Sequence, residues 1–117
     1  MSKNILTQKT IIITGGAGLL GRAFSQACAK EGANVVIAER EEKKGVCEKC
    51  DITNLEDIQS LIKKTIKRFG RIDALVNNAF PRNNHYGRKF EDVAYEDFCE
   101  NVTMHLGGYF LITREVA

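Results

Sequence analysis

Residues 10–24, with the sequence TIIITGGAGLLGRAF, run from an apolar strand through a glycine-rich turn into a helix. Free backbone N–H groups at the start of a helix, together with the helix dipole, make such a turn an anion-binding site. Gly15 would allow the tight exit from the strand, Gly18 the close approach of a pyrophosphate, and Gly21 the close packing of helix on strand. The stretch therefore predicts a dinucleotide-binding turn. No Gly-Lys-Ser/Thr follows the turn, which excludes a P-loop.

The rest of the chain alternates predicted strands and helices. Strands are expected at residues 10–14, 34–38, 46–50 and 74–77, and helices at residues 19–30, 53–70 and from residue 91 onward. Thr53 and Glu56 form a predicted capping box for the second helix, and Gly32 and Gly70 are expected to end the first two helices. Apolar strands separated by helices predict an α/β fold, a Rossmann-type doubly wound parallel sheet.

The composition fits one globular domain. A chain of 117 residues, with 44% hydrophobic and 27% charged residues, is long enough for a single core. Because the formal net charge is only +2 and the cations are scattered, we expect no nucleic-acid partner. No apolar run approaches the roughly 18 residues of a membrane span, and no signal peptide is visible. We therefore expect no membrane partner and a cytoplasmic location.

The four cysteines raise the question of a metal or redox site. Cys47 and Cys50 have the C-x-x-C spacing of such sites, but no second pair supplies the further ligands that zinc needs. We expect no metal and interpret the cysteines as free thiols that fill the core, with a redox pair as the alternative.

Glu39 lies at the end of the second predicted strand, eighteen residues after Gly21, where a carboxylate can accept both hydroxyls of an adenosine ribose. The same carboxylate would repel the 2′-phosphate of NADP, so we expect NAD as the cofactor. Arg40, the next residue, keeps NADP possible. The alternative is that Glu39 is an ordinary surface acid.

A second group of polar residues follows the fourth predicted strand, in the stretch DALVNNA. Ligands of open α/β sheets lie beyond the carboxyl ends of the strands, so Asn77, Asn78 and Ala79 should face the same crevice as Gly15 and Glu39. Asn is also a common turn residue, which would explain its presence without any ligand.

Together these residues resemble the short-chain dehydrogenases/reductases, from about Lys9 to the last residue. TGGAGLLG is similar to the nucleotide turn of that family, CDIT to its adenine-contacting Asp followed by an apolar residue, and LVNNA to its Asn-Asn-Ala-Gly motif. The resemblance implies that residues 1–117 form an NAD(P)-binding domain of an oxidoreductase that interconverts a hydroxyl and a carbonyl on a small molecule. The cofactor-binding residues it implies are Gly15, Gly18, Leu19, Leu20, Gly21, Glu39, Arg40, Asp51, Ile52, Asn78 and Ala79.

Three positions depart from the family pattern. Gly18 lies one position earlier than the pattern T-G-x-x-x-G-x-G places it, and Phe80 stands where Asn-Asn-Ala-Gly has its Gly. His105 occupies the position of the helix-kinking Asn that anchors the family's proton relay, which makes His105 the candidate catalytic residue, since an imidazole can hold a water or titrate. Asn101, one helical turn earlier, is a possible substitute. A packed histidine without a role is the alternative for His105.

The catalytic Ser and the Tyr-x-x-x-Lys that the resemblance implies are not found in this chain. The residues four positions after the three tyrosines are Phe90, Cys99 and Thr113. We interpret the chain as the N-terminal cofactor half of a protein about twice as long, truncated after about four strands and without the C-terminal catalytic half. It is expected to bind cofactor at most and to leave the edge of the fourth strand open. The full-length protein is expected to be a homo-oligomer.

The loop PRNNHYGRKF gives an indication of the substrate. Three cations at the mouth of the crevice are interleaved with two aromatic side chains, which would suit a phosphorylated or sugar-like anion. The cations are Arg82, Arg88 and Lys89, and the aromatic residues are His85 and Tyr86. A solvated basic loop is the alternative. The loop is also similar to those of oxidoreductases in the biosynthesis of bacterial flagellin glycans. Two other functions stay open: a non-catalytic dinucleotide sensor and an S-adenosylmethionine-dependent methyltransferase, whose sheet also has a Gly-rich first turn.

Overall fold

Strands and helices alternate along the chain in the computed structural model, which describes residues 4–40 and 48–117. The strands are β1 (Thr10–Thr14), β2 (Asn34–Glu39), β3 (Glu48–Lys49) and β4 (Ala74–Val76). The helices are α1 (Leu19–Lys30), α2 (Leu55–Phe69) and α3 (Tyr95–Val116), and a short 3₁₀ helix at Phe90–Asp92 precedes α3. The predicted bounds of β1 and α1 are confirmed to the residue.

The four strands form one parallel sheet in the order β3-β2-β1-β4. Ile12 of β1 pairs with Val36 of β2 on one side and with Leu75 of β4 on the other. All five residues of β1 are buried, as expected for a central strand of isoleucine and threonine covered on both faces. Since the strands are parallel, the carboxyl ends of β1, β2 and β4 meet at one edge of the sheet, and β4 lies on the outside as predicted.

The main core lies between the sheet and the helices α2 and α3. Ile12 and Val36 of the sheet pack with Ile58 of α2 and Ile112 of α3, and no described residue of α1 belongs to this cluster. Because side chains alternate along a strand, Ile11 and Ile13 point to the other face. Helix α1 packs there against β1 and β2. The doubly wound architecture that the sequence predicts is confirmed.

Cys50 is part of the main core, with only 2% of its surface exposed. Burial, with Asp57 and Asp51 nearby, raises the pKa of its thiol to about 12, so the thiol is protonated and unreactive at neutral pH. This supports the interpretation of Cys50 as a core-filling residue. Cys47 lies outside the described residues, so the redox-pair alternative stays untested.

The glycine predictions at the helix ends are confirmed, and the capping-box prediction is not. Gly32 and Gly70 have φ angles of +95° and +79°, and both lie just beyond the ends of α1 and α2, as predicted. The capping box is wrong: α2 begins one residue later than Thr53 and Glu56 require. Asn54 is the N-cap, and its side chain accepts a hydrogen bond from the backbone N–H of Asp57.

Two strand ends also shift by one residue each. β2 extends one residue further than predicted, to Glu39, and β4 ends one residue earlier, at Val76. The described part of β3 consists of the two residues that pair with Ala38 and Glu39, and the predicted start of this strand at residue 46 lies outside the described residues. Within the described residues, no helix is both long enough and apolar enough to cross a bilayer.

Candidate nucleotide-binding site

The glycine turn between β1 and α1 forms the base of the site. Gly15 adopts a φ of +64°, a conformation that favours glycine, and its N–H donates to the carbonyl of Ala38 at 2.8 Å. A Cβ on Gly21 would fall on the carbonyl oxygen of Gly15 and 2.7 Å from Nδ2 of Asn78. Gly21 is therefore the residue that lets α1 approach the turn this closely, as the sequence predicts.

Within the described residues, no side chain caps the amino terminus of α1 by a hydrogen bond. Its N-cap is Gly18, and the first turn contains no acidic residue. Leu19 and Leu20, which open the helix, are 93% and 63% exposed. The backbone N–H groups and the positive end of the helix dipole are therefore accessible to an anionic ligand.

Glu39 at the end of β2 reaches the glycine turn. Its Oε1 accepts a hydrogen bond from the backbone N–H of Ala17 at 2.8 Å. This contact makes Glu39 more than an ordinary surface acid, because it fixes the carboxylate against the turn and engages one of its two oxygens. Sequence reasoning placed Glu39 beside the turn but did not find this hydrogen bond.

The other residues expected near the adenine lie on the same side of the crevice. Oδ1 of Asp51 accepts hydrogen bonds from the backbone N–H and the hydroxyl of Thr53, at 2.9 and 2.6 Å. Oδ2 of Asp51 lies 4.0 Å from Nε of Arg40. Ile52 is only 3% exposed and belongs mainly to the core. Thr53 and Arg40 therefore engage both carboxylate oxygens of Asp51.

The end of β4 is joined to the glycine turn through Thr14. The hydroxyl oxygen of Thr14 accepts hydrogen bonds from the backbone N–H groups of Asn78 and Ala79, both at 3.0 Å. The side chain of Asn78 donates from Nδ2 to the carbonyl of Gly15 at 3.0 Å. Asn78 therefore faces the glycine turn, as predicted. Asn77 instead donates from Nδ2 to the hydroxyl of Thr113 in α3.

A pocket of about 380 Å³ lies at the same edge of the sheet. One wall is formed by the ends of β2 and β3, and the other by the chain that follows β4. The lining residues are Gly15, Ala38, Glu39, Arg40, Cys50, Asp51, Ile52, Ala79, Phe80, Pro81, Arg82, Asn83 and Asn84. Most of the residues expected to bind the adenosine half of a dinucleotide thus surround one cavity.

The ring of His105 packs in an aromatic cluster with Phe80, which follows β4, and with Tyr109 of α3. Its ring centroid is 4.2 Å from that of Phe80 and 4.7 Å from that of Tyr109, both in edge contacts. Tyr109 donates its hydroxyl to the carbonyl of Ala79 at 2.6 Å, and burial raises the pKa of this phenol, which keeps it protonated. The side chain of Phe80, in the place of the family's Gly, therefore packs on His105. A catalytic role of His105 stays a prediction.

Asn101, the possible substitute for the family's Asn, holds the loop after β4. Its Oδ1 accepts a hydrogen bond from the backbone N–H of Asn83 at 2.8 Å, and its Nδ2 donates to Oδ1 of Asn83 and to the carbonyl of Asp97. His85 joins the same group, with Nδ1 2.9 Å from Oδ1 of Asp97. Because its amide is bonded to both the backbone and the side chain of Asn83, Asn101 positions the loop that follows β4.

The residues expected to bind substrate separate into two groups. Arg82 lines the pocket, with Tyr86 beneath its guanidinium group, whereas His85 is paired with Asp97. Arg88 is exposed and is not among the lining residues. Sequence reasoning did not identify Thr14 or Tyr109, although a hydroxyl at the end of an otherwise apolar strand was a signal for Thr14.

Known proteins resemble this chain over nearly its whole length. The model of the family described as short chain dehydrogenase matches residues 9–117. L-fucose dehydrogenase of Bos taurus is 32% identical over 117 residues, covering 91% of this chain and 42% of that protein. Post-translational flagellin modification protein A of Campylobacter coli is 26% identical, covering 95% of this chain and 50% of that protein.

A solved structure has a similar fold. The 3-ketoacyl-(acyl-carrier-protein) reductase from Brucella melitensis, complexed with NADH, superposes with a TM-score of 0.79 and 28% identity, covering 93% of this chain and 49% of that one. The chain spans half or less of the length of these three relatives. Because the family model matches residues 9–117, this chain belongs to the short chain dehydrogenase family.

Proposed function

We propose that this chain binds NAD at the carboxyl edge of its sheet, as part of an oxidoreductase that interconverts a hydroxyl and a carbonyl. The observation that carries the proposal is the convergence of three groups on one turn: the uncapped start of α1, the carboxylate of Glu39 on the N–H of Ala17, and the amide of Asn78 on the carbonyl of Gly15. A relative with known structure was solved with NADH, which supports a nicotinamide dinucleotide for this chain.

The pyrophosphate and the adenosine half of the cofactor each have a matching group. The pyrophosphate fits the start of α1, where Gly18, Leu19 and Leu20 present backbone without a side-chain cap. The adenosine half fits the pocket of about 380 Å³, which is lined by Glu39 and Asp51 among others. Asn78 and Ala79 would border the ribose on the β4 side. When bound, the cofactor supplies the hydride acceptor or donor, and the chain supplies its binding and orientation.

Glu39 is the residue on which the choice of NAD rests. We expect Glu39→Ala to lower the affinity for NADH about tenfold, because a carboxylate that accepts from ribose hydroxyls forms charge-assisted hydrogen bonds. The same change should reduce the preference for NADH over NADPH, since a negative charge no longer repels the 2′-phosphate. Fluorescence titration of both cofactors measures the effect. Glu39→Gln, which keeps the acceptor for Ala17, separates the loss of charge from distortion of the turn.

The matched control is Glu48→Ala. Glu48 lies in β3, carries the same charge and is not a lining residue of the pocket; Nζ of Lys64 lies 3.7 Å from its Oε2. We expect this variant to bind both cofactors like the unmodified chain. Unchanged affinity of Glu39→Ala for both cofactors would remove the reason for naming NAD.

The substrate is proposed to be a small molecule, sugar-like or phosphorylated. The support is the mixture of cationic and aromatic side chains after β4, together with the names of two relatives, L-fucose dehydrogenase and a flagellin modification protein. The chain contains no Tyr-x-x-x-Lys, so we expect hydride transfer only where further chain provides the acid/base, with His105 as an additional candidate. A homo-oligomer is proposed for the full-length protein.

The packing of His105 favours one alternative, a protein that senses a dinucleotide without transforming it. Edge contacts with Phe80 and Tyr109 give the His105 ring a packing role that requires no catalysis. Both functions predict NADH binding. They differ in turnover, which is measured at 340 nm with the full-length protein, NAD(H) and a panel of sugars. An oxidoreductase oxidises or reduces at least one sugar, whereas a sensor binds NADH and shows no turnover.

A further inference from the structure

The loop after β4 places a guanidinium group at the wall of the nucleotide pocket. Arg82 belongs to this wall, and Arg40 to the opposite wall at the end of β2. The two acidic residues of the lining, Glu39 and Asp51, already have partners in the protein. Glu39 accepts from the N–H of Ala17, and Asp51 accepts from Thr53 and lies 4.0 Å from Arg40.

Arg82 has no such carboxylate partner within the described residues. Its one hydrogen bond within this part of the protein runs from Nη1 to the carbonyl of Phe80, at 3.3 Å. An arginine carries five N–H donors, so most of its donors are free to meet a ligand. The pocket wall formed by the loop therefore presents a positive charge that the described protein groups do not neutralise.

Aromatic rings hold this guanidinium group in place. Its central carbon lies 5.7 Å from the ring centroid of Phe80 and 5.8 Å from that of Tyr86, and these two rings meet edge to face at 5.3 Å. The planar guanidinium group is suited to such stacking. Asn101 fixes the next residue of the loop, Asn83, through two hydrogen bonds. The two aromatic rings and the hydrogen-bonded neighbour Asn83 thus orient Arg82 without a ligand.

We propose that Arg82 binds a phosphate group of the nucleotide rather than the substrate. The inference rests on the proposed function, because it requires a dinucleotide in this pocket. It changes the sequence-based expectation for Arg82, which grouped this residue with His85 and Arg88 as a substrate ligand. The phosphate is either the pyrophosphate that NAD and NADP share or the 2′-phosphate that only NADP carries, and the test distinguishes these two sources.

The test compares Arg82→Gln with Arg88→Gln in titrations of NADH and NADPH. Both variants remove one positive charge from the same loop, but Arg88 does not line the pocket. We expect Arg82→Gln to weaken binding about tenfold, and Arg88→Gln by less than about twofold, because a charge-assisted hydrogen bond is worth about one decade in affinity. An equal loss for both cofactors assigns Arg82 to the pyrophosphate, and a larger loss for NADPH assigns it to the 2′-phosphate.

Two results would overturn the inference. One is unchanged affinity of Arg82→Gln for both cofactors. The other is an equal loss in Arg82→Gln and Arg88→Gln, which would show that only the net charge of the loop matters. If the unmodified chain binds neither cofactor, the proposed function fails and this inference fails with it. Arg82→Gln that binds normally contradicts the inference alone, so the two failures are distinguishable.

Discussion

Gly21→Ala is expected to abolish NADH binding and to lower the free energy of unfolding by about 3 kcal/mol. A Cβ at this position would fall on the carbonyl oxygen of Gly15 and lie 2.7 Å from Nδ2 of Asn78. Neither atom can give way without cost, because one belongs to the backbone of the turn and the other to the hydrogen bond that joins β4 to it. Helix α1 must therefore move away from the turn. Urea denaturation and NADH titration measure the two effects.

Gly107→Ala is the matched control for this substitution. Gly107 also lies within a helix, α3, and the nearest atom to its added Cβ is Cγ2 of Thr103, at 3.9 Å. Alanine is favoured over glycine in a helix interior, so we expect this variant to be about 0.5–1 kcal/mol more stable than the unmodified chain, with unchanged NADH affinity. Normal stability and normal NADH binding of Gly21→Ala would contradict the close approach of α1 to the turn.

Thr14→Val is expected to destabilise the chain by about 2 kcal/mol, although the two side chains have nearly the same shape. The Thr14 side chain is fully buried, and its hydroxyl accepts hydrogen bonds from the N–H groups of Asn78 and Ala79. Valine removes this acceptor from both N–H groups; that of Asn78 keeps the carbonyl of Val76 at 3.1 Å, whereas that of Ala79 loses its acceptor, and a buried unsatisfied donor costs about 1–3 kcal/mol. NADH binding should weaken too, because the end of β4 keeps only the Asn78 side chain as its hydrogen-bonded link to the glycine turn. Thermal or urea denaturation gives the stability change.

Thr10→Val provides the comparison, since Thr10 lies in the same strand and is equally buried. Within the described residues, its hydroxyl oxygen has no hydrogen-bond partner. Replacing this hydroxyl by a methyl group removes an unsatisfied polar atom, so we expect Thr10→Val to be neutral or stabilising by about 1 kcal/mol. Equal destabilisation by both substitutions would show that Thr14 does not have the special role assigned to it.

Local sequence signals were sufficient for most of the fold. The apolar run and the glycines gave β1, α1 and the turn between them, because these features depend on neighbouring residues. The capping box failed for a local reason: Asn54, directly after Thr53, is as good an N-cap and occupies that position. β3 was predicted as a full strand, but its described part pairs with only two residues of β2.

The connections within the site could not be read from the sequence. Thr14 meets residues 64 and 65 positions further along the chain, and Tyr109 meets Ala79 across 30 positions. Such contacts depend on how the sheet brings distant segments together. His105 and Phe80 each departed from the family pattern as single residues, and only the structure shows that their rings touch. The same holds for Arg82, whose place in the pocket wall depends on the loop held by Asn101.

The most direct test of the proposed site is an equilibrium titration of the folded 117-residue chain with NADH, with folding verified by circular dichroism. We predict saturable binding with a dissociation constant on the order of 100 µM, within the usual range for such ligands. ADP-ribose should compete, because the pocket and the glycine turn take the adenosine half and the pyrophosphate. A folded chain that shows no saturable NADH binding up to about 1 mM would contradict the proposed nucleotide site.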